Sequence, residues 1–242
     1  EISSGSGGGA TESGTQSQTI TITDNETAPT VSLSISAASI AENSSSTVTV
    51  TATLSGAADE DVSVTLSTSG TAAGTDFTLF TSLTITAGQT TTTADLYPTD
   101  DAIFEADETV IIDISAVSGG GATENGTQQQ TVTITNDDSA PTVTLATSAS
   151  SIAENAGSSL TLTATLSNPT NAAVTVTLST SGTATAGADY ASLSNITIAA
   201  GDTTGTTSFT PTDDNTFEGD ERAIIDISGV SGGSASESGT QQ

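Results

Sequence analysis

Several residue types on which protein chemistry often depends are absent from this sequence. Its 242 residues include no cysteine, histidine, methionine or tryptophan. Without them the chain cannot form a disulfide framework, a Cys/His metal site, a catalytic thiol or a Ser-His-Asp triad. It has no apolar run long enough to span a membrane. Its first residues do not follow the pattern of a signal peptide and are expected to be the interior of a longer protein.

Positive charge is almost missing as well. One Lys or Arg stands against 29 Asp and Glu, which gives a formal net charge of −28. Such an excess excludes nucleic acid as a partner and makes cations the natural counter-species. Paired carboxylates can serve glycoside hydrolysis, but only 3% of the residues are aromatic, so platforms for sugar rings are lacking. We therefore predict that the chain is not an enzyme.

The sequence repeats itself. Residues 39–43 (SIAEN) recur as residues 151–155, and residues 111–115 (IIDIS) recur as residues 224–228. The offset gives a unit of about 112 residues, which is the size of one β-sandwich rather than of a solenoid repeat.

This repeat divides the chain into three segments. Residues 1–26 are predicted to be the C-terminal strands of a preceding unit. Residues 27–139 form a complete unit, and residues 140–242 form a unit that stops before its last strand. Short linkers that contain Pro29 and Pro141 separate the segments, and proline restricts their backbone.

Apolar residues alternate along short segments of the complete unit, as half-buried strands require. Seven strands, A to G, are predicted around residues 31–35, 48–54, 62–66, 83–85, 94–96, 110–114 and 132–134. Gly-, Ser- and Asn-rich connections join them. This pattern predicts an all-β fold of tandem seven-stranded immunoglobulin-like sandwiches. Phe104 and Phe217 are expected to lie in the core.

Carboxylates are concentrated in one segment of each unit. Residues 99–108 (TDDAIFEADE) place five carboxylates in ten residues, and residues 212–221 (TDDNTFEGDE) repeat them. Their mutual repulsion must be relieved by solvent, by protons or by a cation. A hard cation that prefers oxygen ligands, such as Ca²⁺, suits such a cluster.

Strand topology predicts that further acids join this segment. If successive strands run antiparallel, the A–B, C–D and E–F connections and the exit from strand G share one end of the sandwich. These connections carry Glu42, Asp76, residues 99–108 and residues 136–138, which together we call the acidic pole. Residues 59–61 lie at the opposite end and are expected to be ordinary surface. Because residues 136–138 come just before the linker, the acidic pole should face the next unit.

Taken together, these motifs resemble the Calx-beta domain. They are Ala-Glu-Asn after strand A (41–43), Gly-Thr-Asp-Phe (74–77), the Asp-Asp-x-x-x-Glu-x-Asp-Glu loop (100–108) and the closing Asn-Asp-Asp (136–138). The resemblance covers the whole chain. It implies a seven-stranded sandwich that, in the calcium-binding members of the family, holds several Ca²⁺ ions at one end.

By position, the resemblance also implies a set of calcium ligands. In the complete unit they would be Glu42, Asp76, Asp100, Asp101, Glu105, Asp137 and Asp138. In the last unit they would be Glu154, Asp189, Asp213, Asp214 and Glu218. Asp24 and Glu26 would close the site of the preceding unit. Asp107 and Glu108 are expected to face solvent or to lie behind the ligands.

The repeats and the resemblance predict a structural, calcium-stiffened segment of a long extracellular adhesin or biofilm-matrix filament on a bacterial surface. Its partners would be neighbouring repeats of the same chain or filament, and its adhesive target is not apparent. Two alternatives remain. Residues 18–23 could supply the missing strand G to another copy, which would make the chain a fibre subunit. The units could also serve as a regulatory calcium sensor, which would need a partner domain with two states.

Overall fold

The computed structural model describes residues 8, 14 and 17–239, and strands are its only regular elements within that range. None of the described residues forms a helix capable of crossing a membrane. The first unit contains strands β1 (Thr30–Ile35), β2 (Ser39–Ala41), β3 (Val48–Leu54), β4 (Val62–Gly70), β5 (Phe77–Leu79), β6 (Ser82–Ile85), β7 (Thr91–Pro98), β8 (Glu108–Ser118), β9 (Thr123–Glu124) and β10 (Gln129–Thr135).

These strands form two five-stranded sheets. One has the order β5-β7-β3-β1-β9, and the other has the order β2-β10-β8-β4-β6. Side chains alternate between buried and partly exposed along β3, as the period of two along a strand requires. One contiguous aliphatic core fills the space between the sheets. The predicted all-β, immunoglobulin-like sandwich is thereby confirmed.

Three short strands were not predicted. Strand β2 continues the first predicted strand after a break and pairs in parallel with β10 in the other sheet. Strand β9 pairs in parallel with β1, and β5 pairs with β7. Elements of two or three residues show no recognisable periodicity, so only the tertiary structure reveals them.

The second unit contains strands β11 (Thr142–Thr147), β12 (Leu160–Leu166), β13 (Val174–Gly182), β14 (Ile196–Ile198), β15 (Thr204–Phe209), β16 (Ala223–Ser231) and β17 (Ser236–Glu237). Its sheets have the orders β15-β12-β11-β17 and β14-β13-β16. Strand β16 lies at a sheet edge, whereas β8, its counterpart, is flanked by β10. Residues 151–153, the counterpart of β2, are not a strand, because β2 depends on β10 for its pairing.

The two phenylalanines expected in the core lie outside it. Phe217 is 97% exposed, and Phe104 is only partly buried. Neither side chain belongs to a buried cluster. The aromatic contact of the second unit is instead Tyr190, which is buried and stacks on Phe209 at a ring-centre distance of 4.8 Å. The expectation was wrong because both phenylalanines stand on the loop before strand F rather than on a strand face.

The start of the C–D connection is held tightly against strand β8. Gly70 has φ of +120°, and a Cβ at this position would lie 2.1 Å from the carbonyl oxygen of Thr109. The same oxygen accepts the N–H groups of Thr71 and Ala72 at 3.0 and 3.1 Å. Only glycine allows this close backbone approach, which directs the connection toward the acidic pole.

Candidate metal centre

Carboxylates from separate connections meet at the acidic pole in two groups. Oxygen atoms of Glu42, Asp100 and Asp137 lie within 4.8 Å of one another, and we call these residues the Glu42 group. Oxygen atoms of Asp76, Glu105 and Glu108 are equally close and form the Asp76 group. The structure thus brings together side chains that are up to 95 positions apart in the sequence, the separation of Glu42 and Asp137.

Parallel pairing of β2 and β10 places Glu42 beside Asp137. The N–H of Glu42 donates to the carbonyl oxygen of Thr135, 3.1 Å away. The side-chain amide of Asn43 donates to a carboxylate oxygen of Asp137. Strand pairing, rather than a flexible loop, therefore determines where the two acids meet.

Local hydrogen bonds orient Asp76 within the C–D connection. One carboxylate oxygen accepts the N–H of Ala73 at 2.5 Å, and the other accepts the hydroxyl of Thr75 at 2.8 Å. The carbonyl oxygen of Asp76 accepts the N–H of Thr99 at 2.8 Å, which ties this connection to the end of β7. These contacts set the direction of the Asp76 side chain.

The E–F loop is connected to the exit from β10. The N–H of Glu105 donates to the side-chain oxygen of Asn136 at 3.3 Å, and the N–H of Asn136 donates to Asp107 at 3.2 Å. Asp101 accepts the N–H of Ile103 at 2.7 Å, in the manner of an Asx turn. The acids of the loop and those that follow β10 are therefore part of one hydrogen-bonded arrangement.

Glu42 is the most buried acid at the acidic pole. Its side chain is 7% exposed, and its Oε1 has no hydrogen-bond partner. Burial raises the pKa of Glu42 to about 7, and the charges of Asp137 and Asp138 add to the increase. An ionised carboxylate in this position lacks both solvent and a neutralising group.

The Asp76 group has the same electrostatic character. The pKa of Glu108 is raised to about 7, mainly by burial. Its hydrogen bond to Asp76 and the charges of Asp76 and Glu105 raise this pKa further. Burial and the charge of Asp76 also raise the pKa of Glu105. Like charges held this close together favour the protonated form of a carboxyl.

Asp101 and Asp138 lie beside the Glu42 group. The charge of Asp101 contributes to the raised pKa of Glu42. Burial and the charge of Asp137 raise the pKa of Asp138, and Oδ2 of Asp138 is buried without a hydrogen-bond partner. A second carboxylate oxygen at the acidic pole is thus desolvated and unsatisfied.

The second unit has a similar but more exposed site. Oxygen atoms of Asp189, Glu218 and Glu221 lie within 4.8 Å of one another, and we call these residues the Asp189 group. Burial and the charge of Asp189 raise the pKa of Glu218. Thr185 donates its N–H to Asp189 at 2.6 Å, as Ala73 does to Asp76 in the first unit.

The other predicted ligands of the second unit lie close by. Glu154 and Asp213 line one small surface pocket. Asp214 accepts the N–H of Thr216 at 2.6 Å, and its charge contributes to the raised pKa of Glu218.

Asp24 and Glu26 are exposed and belong to none of the three groups among the described residues. The N–H of Glu26 donates to Asp24 at 3.3 Å. The pKa of Asp24 is lowered by hydrogen bonds with Glu26. Their assignment to the site of a preceding unit stays a prediction.

Glu108 and Glu221 belong to these groups but are not among the predicted ligands. Glu108 is expected from the sequence to lie behind the ligands or in solvent, yet the structure places this side chain within the Asp76 group. Glu108 opens β8 and has the same parity as Val110 and Ile112, which are completely buried. Because residues two apart share a strand face, the parity that predicted the core could have identified Glu108.

The donors of the acidic pole fit a hard divalent cation. All of them are carboxylate oxygens, and two oxygen atoms, Oε1 of Glu42 and Oδ2 of Asp138, are buried without a partner. Ca²⁺ prefers six to eight oxygen ligands and tolerates irregular geometry. Zn²⁺ at structural sites prefers cysteine and histidine, which this chain lacks.

Two protein-family models match the chain. The Calx-beta domain model matches residues 24–138, and the LapA domain model matches residues 138–241. Both describe non-catalytic structural or binding domains. No curated protein shows significant sequence similarity to the chain.

Several solved structures are similar in fold. A crystal structure of CBD12 from CALX1.2 has 22% sequence identity and a TM-score of 0.38, and the match covers 74% of each chain. The apo form of the Calx CBD1 domain has 26% identity and a TM-score of 0.38, over 45% of this chain and 99% of that one. The E. coli chaperone DraB has 12% identity and a TM-score of 0.31, over 88% and 95% of the two chains.

These TM-scores are all below 0.5, so the assignment to a family rests on the sequence models. The Calx-beta model covers the first unit with its whole acidic pole. The LapA model covers the second unit. Residues 24–138 are therefore similar to the Calx-beta domain, and the LapA match of residues 138–241 is consistent with a bacterial adhesin-type protein.

Proposed function

We propose that this chain is a structural segment of a bacterial surface adhesin whose units are stiffened by calcium at the acidic pole. One observation carries the proposal. The buried Glu42 has an unpartnered carboxylate oxygen and lies in a group with Asp100 and Asp137, each from a different connection. A cation is the simplest means of neutralising these charges at neutral pH.

Both groups of the first unit would take part. Glu42, Asp100 and Asp137 would hold one ion, with Asp101 and Asp138 close enough to contribute. The Asp76 group would hold another. When bound, the ion supplies the positive charge that this chain lacks. The side chains of the chain position the oxygens and hold the connections together.

Binding would stiffen the exit from the first unit. Asp137 and Asp138 lie between β10 and β11, on the segment that leads into the second unit. Once both acids are held against Glu42 and Asp100, this segment has fewer backbone conformations available. The direction of the second unit then becomes better defined.

The expected affinity fits an extracellular location. Calcium sites of extracellular modules typically have dissociation constants of about 10⁻⁴ to 10⁻³ M. Ligand at a hundredfold excess over Kd stabilises the folded state by about 2.7 kcal/mol. For a unit of this size, such a gain corresponds to a rise in melting temperature of roughly 10 °C.

Thermal unfolding and small-angle scattering test this proposal together. Protein with 10 mM Ca²⁺ should melt at a higher temperature and bend less between units than protein in excess chelator. Mg²⁺ should have a smaller effect, because it loses its water ligands reluctantly. Identical melting curves with Ca²⁺ and with chelator would refute the proposal. We also propose that the two units extend over residues 27–139 and 140–242. Limited proteolysis that cuts the chain between the two units would support these boundaries.

One observation favours a second function, that of a fibre subunit. Strand β16 is a sheet edge among the described residues, and Ile20 and Ile22 are 88% and 94% exposed. They correspond to Val132 and Ile134 of β10, which are buried. The segment around Ile20 could therefore pair with β16 of another copy.

Sedimentation velocity would distinguish this alternative. Concentration-dependent polymers that disappear in an Ile20→Thr, Ile22→Thr variant would support a fibre subunit. The double variant Thr19→Val, Thr21→Val, which alters the opposite strand face, is the matched control. A wild-type protein that stays monomeric at high concentration would contradict the alternative.

A further inference from the structure

The E–F loop of the first unit is paired with a loop of the second unit. The N–H of Phe104 donates to the carbonyl oxygen of Pro169 at 2.9 Å. The N–H of Asn171 donates to the carbonyl oxygen of Phe104 at 3.3 Å. Phe104 and Thr170 form an isolated parallel β-bridge. We call residues 167–173, between β12 and β13, the docking loop.

The second unit itself holds the docking loop in place. Thr170 is 1% exposed, and its carbonyl oxygen accepts the N–H of Gly201 at 2.9 Å. A Cβ on Gly233 would lie 2.4 Å from Thr170 Cγ2, so the backbone at Gly233 packs directly against the side chain of Thr170. The loop therefore presents a defined surface to the first unit.

The first unit has an equivalent loop. Ala58 corresponds to Thr170, and its carbonyl oxygen accepts the N–H of Gly88 at 2.8 Å. A Cβ on Gly120 would lie 2.6 Å from Ala58 Cβ. Asp59 stands where the second unit has Asn171, and it is exposed. The docking loop is thus a repeated feature, located at the end opposite the acidic pole.

The two equivalent phenylalanines differ in exposure. Phe104, which pairs with the docking loop, is partly buried, whereas Phe217 is 97% exposed. No docking loop of another unit lies against Phe217 among the described residues.

Asn171 also reaches the acids of the first unit. Its N–H binds the carbonyl oxygen of Phe104, next to Glu105 in the chain, and its side chain is hydrogen-bonded to Glu105, a member of the Asp76 group. Glu42, whose Oε1 is buried and unpartnered, belongs to the other acidic group of the same pole. A side-chain amide has both an N–H donor and an oxygen acceptor, and amide oxygens are common ligands of Ca²⁺.

We propose that Asn171 completes the cation site of the first unit from the second unit, so that one bound ion bridges both units. This inference rests on the proposed calcium function and adds a ligand to it. Without an ion the amide donates to Glu105. With an ion it turns its oxygen toward the cation.

Two variants of the full chain separate a ligand from a simple hydrogen-bond donor. Asn171→Ala should weaken the tightest calcium-binding step roughly tenfold, the effect of about one lost polar contact to a charged group. Asn171→Asp keeps the oxygen but cannot donate. It should restore the affinity for calcium and, in chelator, increase bending between units, because a carboxylate then faces Glu105.

The equivalent residue of the other unit gives the matched control. Asp59→Ala changes the equivalent loop position of the first unit. Among the described residues no acidic pole lies against Asp59, so this variant should not change the affinity for calcium. Isothermal titration with Ca²⁺ and small-angle scattering with and without chelator provide the two measurements. Each variant is compared with the wild type under the same conditions.

The outcomes separate this inference from the function on which it rests. If the wild type binds calcium and Asn171→Ala binds it equally well with unchanged bending, Asn171 is not a ligand, although the calcium function stands. If Asn171→Asp binds as weakly as Asn171→Ala, the residue is a donor only and the inference fails. If the wild type does not bind calcium, the proposed function itself fails.

Discussion

At the scale of single residues, Glu42 defines the chemistry of the acidic pole. A carboxylate that is 7% exposed and has an unsatisfied oxygen destabilises the fold when it is ionised. The same group becomes stabilising once a cation neutralises it. The effect of Glu42 on stability should therefore change sign between calcium-free and calcium-bound protein.

The Glu42→Gln variant tests this change of sign. It removes the charge and preserves the shape of the side chain. In chelator at pH 8 the variant should be more stable than the wild type by about 1 kcal/mol, which corresponds to roughly 4–8 °C in melting temperature. In 10 mM Ca²⁺ it should be less stable than the wild type. Differential scanning calorimetry measures both values.

The same substitution at an exposed site is the control for this experiment. Glu60→Gln lies at the opposite end of the sandwich and should leave both melting temperatures nearly unchanged. A Glu42→Gln variant that responds to calcium as the wild type does would show that Glu42 is not a ligand.

The raised pKa values of Glu42 and Glu108 predict how stability depends on pH in calcium-free protein. Both are about 7 in the folded state, against an ordinary value of 4.5. Between these values the folded state binds more protons than the unfolded state, so stability falls as pH rises. The loss should begin near pH 4.5 and be complete somewhat above pH 7.

Melting temperatures of calcium-free protein between pH 4 and pH 8.5 measure this dependence. The Glu42→Gln, Glu108→Gln double variant should show a weaker fall, because two of the groups responsible are gone. Saturating calcium should also suppress the fall, since the cation then replaces the protons. Stability that rises through this range in calcium-free protein would contradict the interpretation.

At the scale of elements, the ends of the strands determine the site more than the strands themselves. Strand β8 begins at Glu108, and β10 ends at Thr135, just before Asn136 and Asp137. The close contact of Gly70 with Thr109 directs the C–D connection, and with it Asp76, toward the same end. The geometry of the Asp76 group therefore depends on a backbone approach that no other residue allows.

Gly70→Ala should both destabilise the first unit and weaken calcium binding. The added Cβ would lie 2.1 Å from the carbonyl oxygen of Thr109, at a φ of +120°. Strain of this kind costs of order 1–3 kcal/mol. Chemical denaturation and calcium titration are the measurements.

Gly74→Ala is the matched control in the same connection. A Cβ at Gly74 meets nothing within 4 Å, and no positive φ is required there. This variant should be neutral or slightly stabilising. Equal stability losses in the two glycine variants would show that the close contact at Gly70 is not what shapes the connection.

At the scale of the whole molecule, the net charge of −28 opposes any compact arrangement of successive units. Salt screens this repulsion over a Debye length of about 8–10 Å without binding at a particular place. Calcium at the acidic pole would instead neutralise the end that faces the next unit. The two effects can be separated by comparing ions at equal ionic strength.

Small-angle scattering should show a narrower range of inter-unit orientations in 5 mM Ca²⁺ than in NaCl of the same ionic strength. The reason is that a bound ion restricts the exit from β10, whereas screening only weakens repulsion. Glu42→Gln provides the control, since it should reduce the difference between the two salts. Indistinguishable scattering of the wild type in both solutions would mean that calcium acts only by screening.

The fold class and much of the composition of the site could be predicted from the residues alone. Alternating apolar residues predicted strands β1, β3, β4, β6, β7, β8 and β10, because the period of two along a strand is a local property. Connections between antiparallel strands alternate between the two ends of a sandwich, and this alternation predicted that the acidic connections share one end. The absence of cysteine and histidine left carboxylates as the chain's only anionic groups for a metal site.

The three-dimensional arrangement of the strands determines which acids meet and what lies against them. It placed Glu108 in the Asp76 group, moved Phe104 and Phe217 out of the core and brought Asn171 to Glu105. A sequence pattern states which face of an element a residue occupies. It does not state which element from elsewhere in the chain packs against that face, because such contacts depend on how whole strands and units are arranged in space.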